Sequence, residues 1–171
     1  MSRGGCVQLN KPLSSFLAFD LGHKRTGLAY GTMILSQASP VGVVQAEGDK
    51  RFEAFSTYIQ TWQPDALVVG IPYHPDGVAH ENTRFAKKIA QQLKSKFNLN
   101  VFEIDERYST TQALSLKHSA QSKSTNPTKA HKDVDALSAC IILDQFFSEW
   151  HAGSLQSTAV QSMPQPTAPK G

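Results

Sequence analysis

Apolar and polar positions along this chain follow two rhythms, one of strands and one of helices. Phe16-Leu17-Ala18-Phe19 is a short apolar run ending on Asp20, and it predicts a buried strand. The loop Gly22-His23-Lys24-Arg25 leads to a second strand over about residues 26–30. A third follows the breaker Pro40, at residues 41–45. Strands this closely spaced predict an antiparallel meander. Phe52, Phe55 and Ile59 then recur at helical spacing within residues 50–62, and Ala66-Leu67-Val68-Val69-Gly70 predicts a central strand apolar on both faces. The clearest helix spans about residues 81–96, with Phe85, Ile89, Leu93 and Phe97 every four residues and Arg84, Lys87, Lys88, Lys94 and Lys96 on its polar positions. Beyond it the pattern predicts a strand at 101–104, a short helix after Thr110, a polar and basic loop over 117–132, and a helix over 134–147 that is apolar nearly all round. The order βββαβαβα predicts an α/β fold, a mixed five-stranded sheet with helices on both faces.

Composition narrows the picture. A chain of 171 residues that is 40% hydrophobic and 18% charged can bury one domain's core. That domain is expected over residues 14–150, between a flexible N-terminal extension (1–13) and a disordered tail (151–171) rich in Pro, Ser, Thr and Gln. No apolar run approaches the ~20 residues that span a bilayer. The first residues lack the apolar core of a secretory signal. Two cysteines, Cys6 and Cys140, make neither a disulfide framework nor a zinc site, and they suit a reducing, cytoplasmic setting. A net charge of +3 permits a nucleic-acid partner. No apolar stripe is left over outside the core helices, so a monomer is expected.

The candidate chemistry is carried by acids at element ends. Asp20 closes the first strand on the same face as Phe16 and Ala18, Asp105 or Glu106 closes a later strand, and Asp135 falls in the first turn of the final helix. Ligand sites of open α/β sheets collect at such strand ends beside helix N-termini. Three carboxylates there would suit Mg²⁺ or Mn²⁺. Each also has a structural reading: Asp20 as a turn residue, Asp105-Glu106-Arg107 as a surface ion pair, Asp135 as a first-turn acid favoured by the helix dipole, and neighbouring Asp133 as the helix N-cap. Lys24, Arg25, Arg107, Lys117, Lys123, Lys129 and Lys132 could form a basic rim for phosphates, or Arg25 and Arg107 could pair with nearby acids. His74 and His131 could touch phosphate or assist proton transfer. Tyr30, Tyr73 and Tyr108 could stack on bases or pack in the fold.

Four segments carry a resemblance. FDLGHKRTGLAYG resembles D-x-G-x-x-R-x-G-x-A of the YqgF family, the RuvX-like nucleases of the RNase H-like superfamily. VVGIPYHPDG, IDERYST and VDALSACIIL are similar to that family's V-G-(L/I)-P-x-x-x-D-G, D-E-R-x-(S/T)-T and V-D-A-x-(A/S)-A segments, in order, between about Phe16 and Phe147. The resemblance implies an RNase H-like fold and a divalent-metal-dependent endonuclease, with 5′-end processing of pre-16S rRNA in ribosome biogenesis as the leading expectation. Holliday junction resolution, or nucleic-acid binding without catalysis, are the alternatives. It carries Asp20, Glu106 and Asp135 onto the family's catalytic, metal-holding positions. Two Mg²⁺ or Mn²⁺ ions would lie there, with Asp20 bridging and Glu106 and Asp135 each supporting one. Some RuvC-type resolvases have an acid where this chain has Gly70, and a fourth acid where it has Lys132, so Glu106 would substitute and the site would be poorer in carboxylates. A two-lobed sugar-kinase-like phosphotransferase, whose first hairpin also reads Asp-x-Gly, needs a second lobe for which the chain has no room.

Overall fold

The computed structural model describes residues 12–74, 76–106 and 127–153, the last stretch with side chains from Val134 onward. Its elements are β1 (Ser15–Leu21), β2 (Arg25–Thr32), β3 (Gln37–Gln45), α1 (Gly48–Trp62), β4 (Ala66–Ile71), α2 (Glu81–Phe97), β5 (Asn100–Asp105) and α3 (Pro127–His151). One sheet runs in the order β3-β2-β1-β4-β5. The meander β1-β2-β3 is antiparallel, and β1, β4 and β5 are parallel. Chains re-entering a sheet in parallel need crossovers, which α1 and α2 supply. Asp65 ties the start of β1 to β4, its Oδ2 accepting from the Ser14 and Ser15 N–H groups at 2.9 and 3.1 Å.

The two-residue period of the strands sorts their side chains into two cores. Phe16, Ala18, Ala29, Val68, Phe102 and Ile104 face α3, where they pack on Ala139, Leu143, Phe146 and Phe147. Leu17, Phe19, Leu28, Leu67, Val69 and Ile71 face the other way and pack on Phe55 of α1 and on Ile89 and Leu93 of α2. The sheet is therefore covered on both faces, and every residue of β4 is buried, as a strand apolar on both sides requires. Cys140 lies inside the α3 core. Burial pushes its thiol up to about 12, with Asp144 one turn away adding to the effect, so it is an inert packing residue.

Three expectations change. The helix foreseen at 134–147 begins at Pro127, so residues 127–132 are helical rather than loop. Proline is well suited to a first helical turn, where its missing N–H costs nothing. Asp133 is consequently no N-cap, and Asp135 stands two turns into α3 rather than in its first turn. The buried stripe of α2 runs through Thr83, Ala86, Ile89, Ala90 and Leu93. Phe85 is displaced to its flank, where its ring stacks on His23 at 4.3 Å. His151, foreseen as the start of the tail, is the last residue of α3, with Nε2 2.8 Å from Ser36 Oγ. Arg107, Tyr108, Lys117, Lys123, the short helix after Thr110 and most of the expected terminal extensions lie outside the described residues, as do the side chains of His131, Lys129 and Lys132. Among the described residues no helix is long and apolar enough to cross a membrane.

Candidate active site

Asp20 is on the α3 face of β1, one strand period past Ala18, and its neighbours in the sheet are glycines. Across β2 its pair is Gly27. On β4 the register Ala18–Val68 and Phe19–Val69 continues to set Gly70 beside it. Both glycines admit a close approach. A Cβ on Gly27 would collide with the backbone carbonyl of Asp135, so the absent side chain is what lets α3 settle onto β2 there. A Cβ on Gly70 would collide with Oε1 of Glu106 and with Cδ1 of Ile142. The Glu106 carboxylate, arriving from the end of β5, thus occupies the space a side chain on β4 would fill.

The three acids therefore lie in one row on one face of the sheet, Asp135 over β2, Asp20 on β1 and Glu106 over β4. Neighbouring strands are ~4.8 Å apart, so the outer two are separated by about two strand spacings, roughly 10 Å. Among the described residues no three His, Cys, Asp or Glu side chains are placed to hold one metal ion together.

Further contacts fix the row. Gln145 of α3 donates from Nε2 to the Asp105 carbonyl at 3.1 Å, holding the backbone just ahead of Glu106. The turn after Asp20 is closed by the Gly22 N–H donating to the Arg25 carbonyl at 2.8 Å. Arg51 of α1, only 2% exposed, holds that turn from beneath. Its guanidinium donates to the carbonyls of Gly22 (3.0 Å), His23 and Ala46 (3.2 Å) and lies 5.0 Å from the Phe85 ring centre. Burial pulls the Arg51 pKa down, against the opposing charge of Glu47. Nothing in the sequence marked Arg51, Gln145 or the partner of Gly27.

Arg25 pairs with Asp135 (Nε to Oδ2, 3.4 Å), which is the structural reading of that residue. The same Oδ2 is buried and accepts no hydrogen bond, an uncommon condition for a carboxylate oxygen. Beside the pair an open depression of about 530 Å³ is lined by Lys24, Arg25, Gln45, Ala46 and Glu47. Lys24 and Arg25, both foreseen as phosphate-binding residues, line this depression together. His74 packs edge-to-face on His80, the N-cap of α2, at 4.6 Å. Tyr30 packs on Trp62 at 4.7 Å, and Tyr73 lies under Lys87 Nζ at 5.7 Å, so both tyrosines are engaged in the fold.

A β3-β2-β1-β4-β5 sheet with a long helix laid over acids at the strand ends is the RNase H-like architecture. The family model RuvX, described as Holliday junction resolvase, matches residues 14–149, and the chain belongs to that family. Over 146 residues it is 49% identical to a Polaromonas sp. strain JS666 protein named "Putative pre-16S rRNA nuclease", covering 85% of this chain and 96% of that one. A protein of the same name from Albidiferax ferrireducens is 51% identical over 140 residues, covering 82% and 81%. Solved structures agree on the fold. Thermus thermophilus RuvC in complex with Holliday junction substrate superposes with TM-score 0.52 at 14% identity, covering 82% of this chain and 97% of that one. The yeast mitochondrial Holliday junction resolvase Ydc2 gives 0.52 at 11% identity, covering 87% and 83%.

Proposed function

We propose that this protein is a divalent-metal-dependent endonuclease that hydrolyses phosphodiester bonds in structured RNA, with 5′-end processing of pre-16S rRNA as its reaction. The observation that carries the reading is Asp20 standing between two glycine notches, one receiving the helix of Asp135 and the other the carboxylate of Glu106. The named activity of the half-identical relatives supports the choice of RNA.

The donors fit the metal. All three are carboxylates, the hard oxygen ligands that Mg²⁺ and Mn²⁺ prefer, and the buried Asp135 Oδ2 has no hydrogen bond to lose. Mg²⁺ is commonly held by one or two carboxylates, with water and substrate phosphate completing its shell, so a three-carboxylate cage is not needed. Asp20 would serve both ions, Glu106 one and Asp135 the other. Bound there, such ions lower the pKa of the attacking water and offset the charge growing on the phosphate. The chain's own task is to hold the scissile phosphate against the row. Lys24 and Arg25 would grip the backbone on the β2 side, and Arg107, Lys123, Lys129 and Lys132 would extend the basic rim. Arg51 keeps the turn that carries Lys24 and Arg25 at a fixed height above the sheet.

The test is cleavage of an end-labelled pre-16S leader fragment and of a four-way DNA junction, with Mg²⁺, with Mn²⁺ and with chelator. Asp20→Asn should abolish metal-dependent cleavage of the RNA while leaving the melting temperature near that of the parent. Cleavage of the junction alone would assign the protein to resolution instead. Tight RNA binding with no cleavage under any metal would make it a binding factor. RNA cleavage unchanged in Asp20→Asn would remove the row of acids from the mechanism.

A further inference from the structure

Resting on that reading, we propose that Arg25 is a built-in competitor for the metal at Asp135, withdrawn when a nucleic-acid phosphate takes the guanidinium. The two sides of this ion pair differ in freedom. The Asp135 backbone is pinned, its carbonyl set against Gly27 in the sheet, and its side chain is only 25% exposed. Arg25 is freer: its side chain is 41% exposed and borders the open depression whose lining includes Lys24 and Glu47. The oxygen in contest is Asp135 Oδ2, which is buried, accepts no hydrogen bond, and has Arg25 Nε at 3.4 Å.

A cation coordinated by that oxygen would stand almost against the guanidinium, and like charges at such range repel even where water screens them. Guanidinium and metal therefore exclude one another unless Arg25 swings outward. A phosphate at the depression supplies the reason to swing, since a guanidinium binds phosphate as well as it binds carboxylate. The consequence is coupling: nucleic acid should raise metal affinity, and metal should raise nucleic-acid affinity by the same factor. The complete site would then form only on substrate, which restrains stray hydrolysis by a nuclease sharing a compartment with other nucleic acids.

The experiment is Mn²⁺ binding to the full-length protein, followed by electron paramagnetic resonance, with and without a saturating four-way junction or RNA leader whose scissile linkages are blocked. Arg25→Gln should bind Mn²⁺ roughly tenfold more tightly than the parent without nucleic acid, and the gain produced by adding nucleic acid should shrink. Arg25→Lys keeps the charge and should stay close to the parent. Melting curves check folding, and a half-exposed pair of this kind contributes little to stability. Unchanged or weaker Mn²⁺ binding in Arg25→Gln overturns the proposal, as does equal tightening in Arg25→Lys. Asp135→Asn separates the two levels. If it binds Mn²⁺ like the parent, the metal assignment of Asp135 fails. If it loses Mn²⁺ while Arg25→Gln is unchanged, only the competition fails.

Discussion

Adding one methyl group to each glycine beside Asp20 should produce opposite phenotypes. At Gly27 the new Cβ meets backbone, the Asp135 carbonyl and, at 3.0 Å, the Ala136 nitrogen, so relief requires α3 to lift as a unit from the sheet. Overpacking that only a backbone shift can relieve costs about 2–3 kcal/mol. For a domain of this size that lowers the melting temperature by roughly 6–10 °C. At Gly70 the obstacles are the flexible ends of Glu106 and Ile142. Moving Ile142 off its rotamer costs about 1 kcal/mol. The gain from replacing a strand glycine by alanine, about 0.5–1 kcal/mol, offsets it. Gly70→Ala should therefore melt within a few degrees of the parent, yet its Glu106 carboxylate can no longer sit over β4. A misplacement near 1 Å is enough to cost about 100-fold in rate. Thermal melts and single-turnover cleavage of the RNA leader measure the two effects separately. A Gly27→Ala protein as stable as the parent, or a Gly70→Ala protein as active, would show that the notches do not set the spacing of the acids.

Two further outcomes follow from polar groups that hold backbone atoms. Arg51→Met leaves the Gly22, His23 and Ala46 carbonyls without their donor, and hydrogen bonds to a charged group are each worth about 1.5–3 kcal/mol. The melt should fall by roughly 10 °C or more, with part recovered in Arg51→Lys, and a neutral Arg51→Met would mean the turn holds itself. Burial raises the Asp144 carboxyl above its ordinary value, against the hydrogen bond from the Ala38 N–H at 3.0 Å. A carboxyl raised on folding favours the native state below its unfolded pKa of about 3.9, and that contribution is lost as pH rises through the folded value. Asp144→Asn keeps the acceptor without the desolvated charge. It should melt above the parent at pH 7 and level with it near pH 3.5, whereas the same difference at both pH values would refute the assignment.

What the sequence could and could not convey follows from which interactions are local. The strands and their faces were legible because a two-residue period is written in consecutive residues: Phe16, Ala18 and Asp20 share a face whatever surrounds them. The start of α3 was not, since residues 127–133 contain only Ala130 as an apolar residue, and a segment without apolar residues at helical spacing leaves no periodic trace. Pro127 was the available signal, a proline at a first helical position, but it reads equally as a loop residue. Arg51 was invisible for a related reason. A lone arginine in a polar helix looks solvated until the turn it supports folds beneath α2.

The glycines show where sequence reading of this site reaches its limit. A glycine inside a strand announces that something approaches closely, without saying what. Only the strand order answers, by putting β2 and β4 on either side of β1 so that Gly27 and Gly70 become neighbours of one aspartate. The identity of the acids is thus local information, while their spacing is a property of the sheet. On the proposed reading, Glu106 takes the place of an acid on β4 for the same reason. A carboxylate attached at position 70 would rise directly from the strand beside Asp20. One attached at 106 must reach over from β5, and it can do so only if position 70 has no side chain. Gly70 and Glu106 are then two halves of one solution. Restoring an acid by Gly70→Asp should displace Glu106 rather than add a fourth carboxylate to the row, because the space for one is already filled by the other.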